Sequence, residues 1–265
     1  MNKRQFLGAG LAVAGATFVG GLAGVTYAQV TGMNDAINKA GRQRMLSQRL
    51  AKGYLQVGQG IDAERSQRIV GASLALFEKQ LAELRSFAPS AENKNTLDEA
   101  GRAWLSYRAA LTSRAPNPQD AKPVLALNED VLALAHAATV QLEKLSGTNT
   151  GHLVNISGRQ RMLSQRMAKF YQALHWGVAP ADAPAKLAQA RKEFVAALAE
   201  LAAAPKNTPE ISSEIALVQQ QWIFFDNALS VTGGDRAKLA LNVATTSERI
   251  LETMDGITGM YEKLA

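Results

Sequence analysis

Nine residues from Gly41 to Arg49 (Gly-Arg-Gln-Arg-Met-Leu-Ser-Gln-Arg) return unchanged from Gly158 to Arg166, 117 positions further along a chain of 265. An internal repeat settles the architecture ahead of any local pattern, because each copy must fold as the same unit. At that offset Asn38 also matches Asn155, Lys52 matches Lys169, Tyr54 matches Tyr171 and Phe77 matches Phe194. After small shifts Trp104 pairs with Trp222, both expected as core or inter-helix anchors, Leu125–Asn128 pairs with Leu239–Asn242, and Glu143-Lys144-Leu145 with Glu262-Lys263-Leu264. The unit is roughly 115 residues long, an ordinary domain size. The expected division is 29–146 for the first copy and 147–265 for the second.

Residues 1–28 are set apart as an export signal. Lys3 and Arg4 precede an apolar, Gly/Ala-rich run that ends in Thr26-Tyr27-Ala28, the order of a positive region, a hydrophobic region and a small-residue cleavage site. If the run is kept instead of cleaved it serves as a membrane anchor. Either way the remainder is expected outside the cytoplasmic membrane, in the periplasm. Nothing after the second copy reads as an output module, so a sensing role would need a separate partner, such as a membrane sensor kinase or chemoreceptor.

Composition excludes more than it selects. There is no cysteine and hence no disulfide. The formal charge of +6 includes Lys3 and Arg4, so the rest carries a mild basic excess that suits anions. It has no basic run with interleaved aromatics and does not point to nucleic acid. His136, His152 and His175 have no metal-ligand spacing. Glu129-Asp130 reads as a solvated face, and no phosphate loop or nucleophile motif is present. The reading is non-enzymatic, with no metal and no cofactor. A homo-oligomer is compatible with it.

Apolar residues recur at helical spacing, and Gly/Pro breaks divide each half into four segments: Gly58 and Gly60, Ala88-Pro89-Ser90 and Ala115–Pro118 in the first, Gly177–Pro180, Pro205–Pro209 and Thr232–Asp235 in the second. The fold expected is all-α: two tandem four-helix bundles related by an internal pseudo-two-fold. At about 100° per residue, Ala40, Leu46, Ser47, Leu50, Gly53 and Tyr54 fall on one arc, which should face the bundle's own core. A second stripe carries Ile37, Gly41, Arg44, Met45, Gln48 and Lys52, a mixture that suits a helix–helix contact, while Arg42 and Arg49 fall towards solvent. A mid-helix glycine costs about 1 kcal/mol relative to alanine, and its repetition at Gly41 and Gly158 suggests close approach of a second backbone. If the two stripes face each other, Arg44 and Arg161 meet near the symmetry axis. Their guanidiniums then repel unless an anion lies between them, and a planar oxyanion can accept paired N–H bonds from both. Gln48 and Gln165 would add donors or fix the arginine rotamers, and Met45 and Met162 would supply a soft apolar wall. The alternative is a helix–helix seam without a ligand, which docks a chemoreceptor, sensor kinase or pilus component.

The stretch Ile37–Leu50 resembles the P-box of the NarX-like, or PilJ-type, sensor domain, found in nitrate/nitrite sensor kinases and at the N-terminus of type IV pili chemotaxis transducers. Both copies fit its Asn-x-x-Gly-x-x-Arg-Met-x-Ser-x-Arg pattern. The resemblance implies a four-helix bundle per copy, a ligand between the first helices of two copies, and the nitrate-binding role on Arg44 and Arg161. Nitrate or nitrite is then the favoured ligand. The chain departs from the nitrate sensors at Arg42 and Arg159, where those carry a small polar residue, and at Gln48 and Gln165, where those carry tyrosine.

Overall fold

A computed structural model describes residues 29–231 and 233–264; the stretch read as an export signal, 1–28, lies outside them. The described residues form eight helices: α1 (Met33–Gln59), α2 (Ala63–Phe87), α3 (Ala91–Thr112), α4 (Pro118–Ser146), α5 (Asn149–Trp176), α6 (Ala183–Ala202), α7 (Pro209–Ser230) and α8 (Arg236–Glu262). The architecture is the all-α pair of helical bundles that the repeat requires. Within the first bundle α1 packs on α2 and α4, and α3 on α4; within the second α5 packs on α6 and α8, and α7 on α8. Among the described residues no helix is long and apolar enough to cross a membrane.

The helix ends repeat even where their residues differ. α1 stops at Gly60 and α5 at Gly177, both left-handed (φ 71° and 73°). In each the glycine N–H and the next N–H reach back to close the last turn: Gly60 to Val57 and Ile61 to Gln56, Gly177 to Leu174 and Val178 to Ala173. This is the Schellman stop, which needs a residue without a β-carbon. Ser90 caps α3 and Thr208 caps α7, each hydroxyl accepting from the N–H of the third residue of its helix. Gly58 reads as a helix stop in the sequence, but α1 runs through it. A β-carbon there would collide with the Trp176 ring of α5, so this glycine makes room for an aromatic of the other half.

Each bundle is anchored by the same aromatic stack. Phe77 lies on Trp104 with centroids 3.9 Å apart, and Tyr107 meets Trp104 edge-on at 6.0 Å. Phe194, Trp222 and Phe225 repeat this at 4.6 and 6.2 Å. Trp104 and Trp222 are thus the matched anchors that the sequence suggests. The pairing of Asn128 with Asn242 does not hold. Glu129 and Glu248 make equivalent ion pairs, and so do Glu143 and Glu262 their equivalent hydrogen bonds, which places Asn128 opposite Ser247.

The two bundles join through α1 and α5, which run parallel against each other. Ile37 reaches the backbone at Gly151, Gly41 lies against Gly158, and Gly58 lies under Trp176. Both helices are therefore walled in on nearly all sides. Between Asp35 and Gln56 only Lys39, Arg42 and Arg49 keep partial exposure, so the two-stripe reading of α1 is too simple. An amphipathic wheel describes a helix on the surface of one bundle, and α1 is central to two.

Candidate functional site

Gly41 of α1 and Gly158 of α5 lie against each other. A β-carbon on Gly41 would stand 3.2 Å from Nη2 of Arg44, 3.6 Å from Nη2 of Arg161 and 3.9 Å from the Gly158 Cα. On Gly158 it would stand 3.0 Å from Nη2 of Arg161 and 3.7 Å from Nη2 of Arg44. The two guanidinium tips therefore share the small space that the paired glycines leave open. Both arginines are completely buried.

Each arginine reaches back along the helix direction, as helical side chains do, and grips the other copy. Arg44 Nη2 donates to the Asn155 side-chain Oδ1 at 2.7 Å and to its carbonyl at 3.2 Å. Arg161 Nη2 donates to Asn38 Oδ1 at 2.8 Å and to its carbonyl at 3.3 Å. The amide nitrogens of these asparagines are held in turn: Asn155 donates to Glu143, and Asn38 to Glu262. Two mirrored relays result, Glu143–Asn155–Arg44 and Glu262–Asn38–Arg161, each crossing between halves. Asn38, Asn155, Glu143 and Glu262 carry no assigned role when read from sequence. All four lie in the repeated blocks, so the signal was present; what was missing was which helix of one copy faces which of the other.

The mirror breaks at the next partner. Arg161 Nη1 donates to the Asp255 carboxylate, which Arg42 also approaches at 2.9 Å. At the corresponding place Arg44 Nη1 meets His136 Nδ1 at 3.4 Å. Both Nε–H groups, of Arg44 and of Arg161, are buried without a partner. Burial and the neighbouring Arg161 and Arg159 press the Arg44 guanidinium down to about 9. Burial lowers Arg161 to about 10, with Asp255 opposing the fall. The crossing thus concentrates positive charge, answered on the Arg161 side by a carboxylate and on the Arg44 side by none in direct contact.

The supporting residues divide. Met45 and Met162 are buried in the core as expected of a soft wall. Gln48 and Gln165 do not bond the arginines: Gln48 Nε2 donates to Asn128 at 3.0 Å and to Ser47, and Gln165 Nε2 to the Ser247 carbonyl at 3.0 Å. Each points to the last helix of its own bundle, because that helix offers an acceptor one turn beyond the arginine. Ser47 and Ser164 instead accompany the arginines, each hydroxyl donating to the arginine carbonyl.

A second pair of polar clusters lies further along the seam. Lys52 donates to Glu248, which Arg49 also holds, and Lys169 donates to Glu129, held likewise by Arg166. Arg42 and Arg49 therefore face α8 of the other copy and not solvent, and Glu129 is no solvated surface group. Burial alone would raise both glutamates, but the lysine and arginine beside each outweigh it and hold them at about 2. The motif faces of α1 and α5 largely cover one another.

The chain matches the family described as PilJ, type IV pili methyl-accepting chemotaxis transducer N-term, twice in tandem, over residues 25–129 and 146–246. It belongs to that family. Comparison with curated proteins and with solved structures gives no match. The family is a sensor domain and not a catalytic one, and the buried arginine pair is contributed equally by its two copies.

Proposed function

We propose that this PilJ-family protein is an exported, periplasmic, non-enzymatic binding protein that holds a small oxyanion, nitrate or nitrite first, between Arg44 and Arg161. In this reading 1–28 is the export signal or anchor, and 29–146 and 147–265 are the two sensor copies, a single-chain counterpart of a symmetric dimer. The state of the site passes to a separate membrane partner, a sensor kinase or chemoreceptor.

One observation carries the reading: two fully buried guanidiniums crowd the Gly41–Gly158 crossing, each with an Nε–H that nothing accepts. An unmet buried donor costs about 1–3 kcal/mol, more when it is charged. A planar anion at the crossing would accept those donors and relieve the repulsion between like charges. Such a site answers to ligand by tightening α1 against α5, the contact that joins the copies.

The test is a thermal-shift titration with nitrate, nitrite, sulfate and chloride. A ligand of the folded state raises Tm by mass action, by about 2.7 kcal/mol of stability at a concentration a hundred times Kd. Nitrate or nitrite should raise Tm in a saturable way, and the double variant R44A/R161A should lose the response. If no anion raises Tm above the chloride control, the site is a structural seam.

A further inference from the structure

We infer that the anion seat is one-sided: the ligand is held chiefly by Arg44 together with His136, while Asp255 serves as a built-in counter-anion for Arg161. This deepens the oxyanion-binding reading above and rests on it. The geometry comes from comparing the two copies as internal controls. Asn38 and Asn155, Glu262 and Glu143, Ser47 and Ser164, Glu129 and Glu248 all repeat their contacts. Position 136 and position 255 alone exchange a base for an acid within the arginine relay. On the second copy a carboxylate sits against Arg161 and Arg42. On the first copy the counterpart of Arg42 is Arg159, which turns away to Glu193 at 2.6 Å. Both arginines keep an unaccepted Nε–H, but at Nη1 Arg44 is left with only an imidazole at 3.4 Å.

Asp255 shows what this environment accepts: a carboxylate against a buried guanidinium. An external carboxylate or planar oxyanion supplies the same chemistry to Arg44, and His136 lies at the exposed side of that contact, where a ligand would arrive. The groups that act on His136 are Arg44 from α1, Arg159 from α5, Glu193 from α6 and Glu143 on its own helix. Burial, then the two arginines, favour its neutral form. An anion beside it reverses that preference, so binding takes up a proton, and affinity rises as pH falls through the imidazole range, whose ordinary centre is about 6.5.

Isothermal titration of the full chain with nitrate and with formate, at about pH 5.5 and about pH 8, tests this with three variants. Wild type should bind more tightly at the lower pH. H136D supplies the internal carboxylate that the second copy already tolerates, and should weaken binding about tenfold or more, equivalent to about 1.4 kcal/mol. H136Q should keep binding but lose its pH dependence, which separates His136 from His152, a second histidine bridging Glu143 and Glu200. D255N should retain the Arg44 seat. Wild-type affinity in H136D, or an unchanged pH profile in H136Q, overturns the one-sided seat and leaves the oxyanion reading standing. Absence of binding in wild type at both pH values overturns both. Circular dichroism of H136D and H136Q checks that the helices are intact.

Discussion

At the scale of single residues, the glycines show how the same residue type serves opposite ends. Gly71 in α2 faces open space, whereas Gly158 would place a β-carbon 3.0 Å from the Arg161 Nη2. An alanine gains about 1 kcal/mol of helix propensity at either site. G71A should therefore raise Tm, while G158A should lose that gain by displacing a guanidinium held by Asn38 and Asp255, and should also lose any anion response. Parallel thermal melts of the two variants check this directly. Equal stabilisation by both would mean that Arg161 moves freely and that the crossing is not tight.

The seam between elements is held by charge as much as by apolar contact. Glu248 joins α8 to Lys52 and Arg49 of α1; Glu129 joins α4 to Lys169 and Arg166 of α5. Removing one partner of a buried pair leaves the other charge uncompensated, at about 3–5 kcal/mol. E248Q should approach that loss, because Glu248 is nearly buried, and E129Q should cost less, because Glu129 is more exposed. The pH dependence follows from the same contacts. Both carboxylates are held at about 2 in the fold, below an ordinary glutamate at about 4.3. Their contribution is complete above that ordinary value and is lost as pH falls from there towards 2. Chemical denaturation followed from neutral pH down through this window should show a steeper loss for wild type than for E129Q/E248Q. Parallel curves for the two would remove these pairs from the stability of the seam.

For the whole molecule, the two copies are not independent domains on a string. α1 and α5 each complete the surroundings of the other: Arg44 donates to Asn155 and Arg161 to Asn38. A chain limited to 29–146 would expose Arg44 and Gly41 on one face. It should either pair with itself through that face, imitating the internal pseudo-two-fold, or fail to fold. Sedimentation of 29–146, alone and mixed with 147–265, distinguishes these outcomes. A stable folded monomer of 29–146 would contradict the interdependence.

By itself the sequence determined the all-helical class, the duplication, the aromatic anchors Trp104 and Trp222, and the meeting of Arg44 with Arg161. Each follows from local periodicity or from symmetry, which a repeated string states without coordinates. The tertiary structure alone decided the partners of those arginines. It brought Asn155 to Arg44 and Asn38 to Arg161, turned Arg42 and Arg49 from the solvent face to α8, made Glu129 a buried counter-ion and aimed Gln48 and Gln165 away. It also revealed that Asp255 and His136 occupy equivalent places, which the misleading match of Asn128 with Asn242 conceals. The reason is physical: which helix of one copy lies against which of the other depends on packing across the whole interface, and neither helical spacing nor the repeat offset encodes that.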